Sequence, residues 1–179
     1  MSDALMSDFP LTRRPAVDAV EPVRFGALAI EIVTEGSVLQ LLGQPGIFDA
    51  AAAGAALGPL APNARRAAGP GQCFLVSDEA ADIGQIAARL AGIAHVVDQT
   101  HGRTRLRIRG PEVRRVLAKG TAVDLHREAF AIGHATMTLI GHIGANLART
   151  GEDEFELLVL RGFAESLWHE LKVMSAEFA

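Results

Sequence analysis

Residues His95–His126 read HVVDQTHGRTRLRIRGPEVRRVLAKGTAVDLH, and the reading of this stretch decides the fold class. Val96–Thr100 predicts a short strand, and His101-Gly102 the turn out of it. Arg103–Arg109 alternates strictly, with Thr104, Leu106 and Ile108 on one face and Arg103, Arg105, Arg107 and Arg109 on the other. Gly110-Pro111 ends that strand and opens a helix, because proline at a first helical position gives up only an N–H that has no helical partner. Glu112 stands where the helix dipole favours a carboxylate and Lys119 where it favours a cation. Gly120 is expected to close the helix as a left-handed cap. The unit is a hairpin, a helix and a loop, with four arginines in a row on its second strand.

Outward from this stretch, the first half of the chain follows the same order. Phe25–Val33 and Ser37–Leu42 read as strands, and Gly43–Gly46 as a turn. Ile47–Leu57 is an alanine-rich helix, and Gly58–Gly69, with Pro59, Pro62 and the Arg65-Arg66 pair, a surface loop. Cys73–Val76 is a buried strand, and Ile83, Ile86, Ala87 and Leu90 mark a helix at spacings of three and four. In the second half, Ala135–Arg149 forms one long or two short strands and Phe155–Val159 another. Phe163, Leu167, Leu171, Met174 and Phe178 line one side of a final helix. Leu39, Leu41 and Gly43 overlay Leu106, Ile108 and Gly110, and Phe74, Ile86 and Leu90 overlay Phe155, Leu167 and Leu171. The expected architecture is therefore α+β: pseudo-repeats of about 23–94 and 95–179, each of strands and helices, with the helices against a mainly antiparallel sheet. Residues 1–22, polar and spaced by Pro10, Pro15 and Pro22, read as a flexible N-terminal arm.

Composition narrows the function classes. The chain has 179 residues, enough for one domain with a sizeable core, and a formal charge of −4. It has no tyrosine and one tryptophan, Trp168, read as core. Few aromatics and a negative balance argue against nucleic acid as partner. Cys73 is the only cysteine, which excludes an internal disulfide and fits a reducing compartment. MSDALMSDFPLTRRP carries acids before its basic pair and no apolar core, unlike a secretory signal. Phe130–Ala148 is apolar but holds His134, His142 and glycines, a poor membrane span. The expectation is a soluble, cytoplasmic protein without membrane or nucleic-acid partners.

No complete catalytic set is present. There is no GxGxxG, Walker loop, GxSxG elbow or paired-carboxylate motif, and no two histidines have HxxH or HxxxH spacing. His126 follows Asp124, which could orient its imidazole. Cys73 within CFLV reads as an inert buried thiol. The arginine row, with same-face neighbours about 6.6 Å apart and a span of about 20 Å, leaves three readings open. It is a face neutralised by Glu154 and Glu156 on a neighbouring strand, a contact surface for another protein, or a site for a small anion.

Several ordered pieces carry a family resemblance: LAKG with DLH at 117–126, GHIG at 141–144 and RGFAESLW at 161–168. With the surrounding VVDQTHGRTRLRIRGPEVRRV, they make the chain resemble the gamma subunits of heterotetrameric sarcosine oxidase, well from Gly69 onward and loosely before it. The resemblance implies a fold like the folate-binding domain of aminomethyltransferase, the T-protein of glycine cleavage. It also implies alpha, beta and delta partner subunits. These would oxidatively demethylate sarcosine to glycine, with hydrogen peroxide and formaldehyde or methylenetetrahydrofolate as further products. FAD, FMN, NAD and tetrahydrofolate would belong to the alpha and beta subunits and zinc to delta. No catalytic, cofactor-binding or metal residue carries over to this chain, so Arg103, Arg105, Arg107 and Arg109 stand as candidate subunit contacts. Thr121 replaces a cysteine common in relatives, and Cys73-Phe74 departs from an aromatic they tend to carry. The alternative is a stand-alone folate-binding or folate-dependent one-carbon transfer protein, for which Asp98 and Asp124 are the nearest pterin-binding acids.

Overall fold

Strand register explains why the chain builds two sheets and where its charged residues end up. The structure is a computed structural model, described here for residues 14–18, 21–58 and 64–179. Its strands are β1 (Val23–Phe25), β2 (Leu28–Val33), β3 (Ser37–Gly43), β4 (Arg65–Gly69), β5 (Gln72–Ser77), β6 (Ala94–Asp98), β7 (Arg103–Arg109), β8 (Ala135–Ile140), β9 (Ile143–Gly151) and β10 (Glu154–Leu160). The helices are α1 (Ala50–Leu57), α2 (Ile83–Arg89), α3 (Val113–Ala118) and α4 (Ala164–Ser175). One sheet has the order β1-β2-β7-β10-β9-β8 and the other β4-β5-β3-β6. Every pairing is antiparallel.

The strand order follows a similar pattern in the two parts of the chain. In the first half β3, β4 and β5 share a sheet while β2 crosses to the other; in the second, β7, β9 and β10 share a sheet while β6 crosses back. Each half thus lends its opening strand to its partner. Gly43 and Gly110 hold equivalent places, since Gly43 N–H donates to Gly71 O at 2.8 Å and Gly110 N–H to Asp153 O at 2.9 Å.

Alternation then sorts side chains into three clusters. On the outer face of the larger sheet, Ile30, Leu106, Ile108, Leu147, Phe155 and Leu157 pack against α3 and α4, which contribute Val116, Leu117, Leu167, Trp168 and Leu171. On the outer face of the smaller sheet, Leu39, Leu41, Cys73 and Leu75 pack under α1 and α2. Between the sheets lies a smaller cluster of Val38, Phe74, Val76 and Leu158. The layers run helix, sheet, sheet, helix.

Several expectations are corrected here. The overlay of Phe74 on Phe155 is out by one residue. Leu39 pairs with Leu75 and Leu106 with Leu157, so Cys73 and Leu75 are the true counterparts of Phe155 and Leu157. A shift of one flips a strand residue to the other face, and Phe74 indeed points between the sheets. Phe25–Val33 is a hairpin turned at Gly26, whose φ is +55°. The loop expected over 58–69 contains β4. Gly120 is not left-handed; a Cβ there would meet Met174 Sδ at 3.0 Å and Ile140 Cγ2 at 3.1 Å, so the glycine allows close packing instead. Phe163 is 53% exposed and does not join the buried side of α4. The described part of the expected arm is docked: Val17 is buried in the large cluster, and Arg14 O accepts from the Arg161 guanidinium. Residues 1–13 and 19–20 of that arm lie outside the described residues.

Candidate functional site

The arginine row sits on the inner face of β7, toward the smaller sheet. It is neither one surface nor one site. Arg105 is 5% exposed and forms a fork onto Glu156 of β10, with Nε at 2.8 Å from Oε1 and Nη2 at 3.0 Å from Oε2. Its remaining donors reach Ser77 O at 3.0 Å, Glu35 O at 3.1 Å and the Asp78 carboxylate, so it ties β7 to the end of the smaller sheet where β3 begins and β5 ends. Arg107 bonds Glu156 at 3.1 Å and Asp78 at 3.2 Å. Arg109 is 47% exposed and pairs with Glu31 at 3.4 Å. Arg103 is half-buried, its guanidinium 4.6 Å from the centre of the Phe74 ring.

Glu156 is the hub. It has no exposed surface, and Arg66 of β4 approaches its Oε1 at 2.9 Å, the oxygen that also accepts from Arg105 Nε. Burial alone would raise its carboxyl, but the hydrogen bond and charge of Arg105, with the charge of Arg66, hold it down at about 2. Arg66 is itself pulled below its ordinary value by burial, against the pull of Glu156. Sequence reasoning had placed Glu154 and Glu156 opposite the row, and Glu156 is there, cross-strand from Arg107. It missed Arg66, because a surface-type residue ninety positions away gives no local sign that it crosses to a buried acid.

The residues that carry the family resemblance do structural work. Leu117 and Leu125 are core, and Asp124 accepts the His126 backbone N–H at 2.9 Å, a local turn. The His126 ring therefore takes no orientation from Asp124; its Nδ1 lies 4.0 Å from exposed Glu128. Gly141 turns β8 into β9 with φ +57°. Asn146 Nδ2 donates to Ala67 O at 2.7 Å, a second tie between the sheets. Arg149, buried and unforeseen, donates to Phe130 O at 2.9 Å and binds Glu152, pinning the loop before β8. Thr121 shares a 2.9 Å hydrogen bond with Thr138. Trp168 is core, as expected.

Two of the clefts lined by described residues bear on function. One, of about 720 Å³, lies between β4–β5 and the start of β8, bordered by Phe48, Arg65, Cys73, Phe130 and His134. Burial pushes the Cys73 thiol up, away from the reactive thiolate. The other, of about 250 Å³, lies where both halves cross between sheets. Neither Asp98 nor Asp124 borders either cleft; Asp98 is occupied in a turn, accepting Thr100 N–H at 2.8 Å. Among the described residues no three His, Cys, Asp or Glu side chains gather as a metal site, and no helix is long and apolar enough to cross a membrane.

This architecture is an aminomethyltransferase fold. Glycine cleavage system aminomethyltransferase T from Bartonella henselae matches it with a TM-score of 0.58 and 18% identity, over 82% of this chain and 46% of that one. Family and relatives are more specific. The sarcosine oxidase, gamma subunit family matches residues 50–177, and the chain belongs to it. The sarcosine oxidase subunit gamma of an Arthrobacter species is 31% identical, over 99% of this chain and 97% of its own length. A chain of the heterotetrameric sarcosine oxidase from Corynebacterium sp. U-96, solved in complex with pyrrole 2-carboxylate, matches with a TM-score of 0.75 and 26% identity over 87% of both chains.

Proposed function

We propose that this chain is the gamma subunit of a heterotetrameric sarcosine oxidase and serves it as a structural, non-catalytic component. The observation that carries this reading is the end-to-end likeness to a gamma subunit and to a chain of the solved heterotetramer. What the motifs do locally supports it: they build turns, core and inter-sheet ties, and they bring together no nucleophile with a base. In this assignment the partners are alpha, beta and delta chains. The complex takes sarcosine to glycine, with hydrogen peroxide and formaldehyde or methylenetetrahydrofolate as further products. FAD, FMN, NAD and tetrahydrofolate sit in alpha and beta, and zinc in delta. The cytoplasm is its compartment.

Of the four candidate contact arginines, Arg109 is the one left to meet another subunit. Arg105 is enclosed, Arg107 is mostly covered, and Arg103 lies over Phe74. The stand-alone folate reading has no observation in its favour, since its two candidate acids are used in turns.

Co-expression with the alpha, beta and delta chains and affinity capture through this chain tests the assignment. The expected result is co-purification of all four and sarcosine-dependent peroxide formation by the complex, with none by this chain alone. A chain that stays alone beside assembled alpha and beta subunits rejects the assignment.

A further inference from the structure

The smaller cleft stands at the structural centre of the repeat. The chain leaves the larger sheet after Val33 and enters the smaller one at Ser37; it leaves the smaller sheet after Asp98 and enters the larger one at Arg103. Both crossings border the same cavity of about 250 Å³. That volume corresponds to about eight waters at liquid density. One wall is apolar, with Ile32 and Val33 at the end of β2. The other carries Arg14, Arg103 and Arg161 with the His101 ring, against a single carboxylate among the described residues, Glu35.

Arg103 differs from the other three arginines of its strand. Arg105, Arg107 and Arg109 each have a carboxylate partner within 4.0 Å. Among the described residues Arg103 has none, and its Nε is buried without a hydrogen bond. It is held in place by the Phe74 ring beneath it, and burial lowers its pKa with no acid to oppose the effect. A guanidinium stacked on an aromatic ring at the border of a cavity, with no acid opposite it, is suited to receive a planar oxyanion. Arg161, on the turn after β10, spends one donor on Arg14 O, which leaves most of its five N–H groups for the same cavity. The Arg161 backbone N–H bonds Gly102 O at 2.9 Å, which holds the backbone of Arg161 beside the β6–β7 turn that leads into Arg103.

We propose that this cleft binds the oxyanion of a small molecule, a carboxylate or a phosphate, between Arg103 and Arg161, with any short apolar stem against Ile32 and Val33. The neighbouring ion-pair network gives the reason for the choice of arginines. Glu156 and Asp78 satisfy Arg105 and Arg107, and no acid is supplied for Arg103. Glu35 is the one negative group in the lining, and its backbone carbonyl is already held by Arg105. A cavity of about 250 Å³ is too small for a folded partner and has room for a small anion. The inference does not depend on the subunit assignment.

Calorimetric titration of the full chain with inorganic phosphate and, separately, with butyrate is the test. Saturable one-to-one binding of at least one anion is expected. Arg103→Met, which keeps an apolar stem over Phe74, and Arg161→Met, on an exposed turn, should each weaken it at least tenfold. Arg24→Met, at an exposed position on β1, should leave it unchanged. Binding of phosphate alone assigns the site to phosphates, and binding of butyrate alone to carboxylates. The proposal is overturned if neither anion binds saturably, if Arg161→Met binds as the parent does, or if only an acidic peptide binds.

Discussion

Glu156 is a carboxylate with no exposed surface and three guanidinium groups within 3.1 Å, those of Arg66, Arg105 and Arg107. Burying that many charges is costly, and the network holds because the Arg105 fork satisfies both carboxylate oxygens. Removing the acid takes from the buried Arg66 and Arg105 the carboxylate they share, leaving Arg105 with Asp78 as its remaining acid. Glu156→Gln should therefore cost about 3 to 5 kcal/mol of folding stability, read from urea unfolding. An effect under about 1 kcal/mol would mean that water reaches the site. The pH dependence follows from the lowered carboxyl. A group whose folded pKa lies below its unfolded value contributes stability above the unfolded value, and loses it as pH falls through the folded one. For Glu156 the window runs from about 4.5 down to about 2. The melting-temperature gap between the parent and Glu156→Gln should hold steady above pH 5 and narrow below about 4.5; a gap unchanged down to pH 2 would show that Glu156 is not the titrating group.

At the scale of elements, the two halves repeat one junction, a strand ending in glycine whose N–H bonds a distant turn. The two glycines are not equally constrained. Gly110 has φ +136°, and a Cβ there would lie 2.5 Å from Ala27 O and 2.9 Å from Leu28 Cα, both main-chain atoms. At Gly43 the obstruction is the Phe48 side chain. Gly110→Ala combines a left-handed backbone with a clash that only main-chain movement relieves, and should cost at least about 2 kcal/mol. Gly46→Ala, with φ +74° and nothing within 4 Å, should cost about 1 kcal/mol. Denaturant midpoints of the two variants test the order, and an equal loss would contradict it. The strand β7 and the helices were legible because periodicity and punctuation are local. β4 was not, because RRAAG has no apolar alternation and Arg66 is buried only by virtue of Glu156. The one-residue error at Phe74 has a related cause: both faces of β5 are apolar, so pattern alone cannot set its register.

At the scale of the whole molecule, the same arginine row that marked the family also joins its two sheets, and this changes how assembly must be tested. Charge reversal at Arg105 would place a carboxylate against Glu156 and Asp78, so loss of the complex in that variant would report unfolding. Arg109 is free of this ambiguity. Its pair with Glu31 is half-exposed and should contribute under about 1 kcal/mol to the fold. Arg109→Glu should keep the parent's melting temperature within a few degrees. If the open end of the row faces a partner subunit, it should still lower recovery of the co-expressed complex several-fold, more so at low salt, where charge repulsion is least screened. Recovery equal to the parent's, with the fold intact, would remove the row from the interface and leave it as the tie between the sheets.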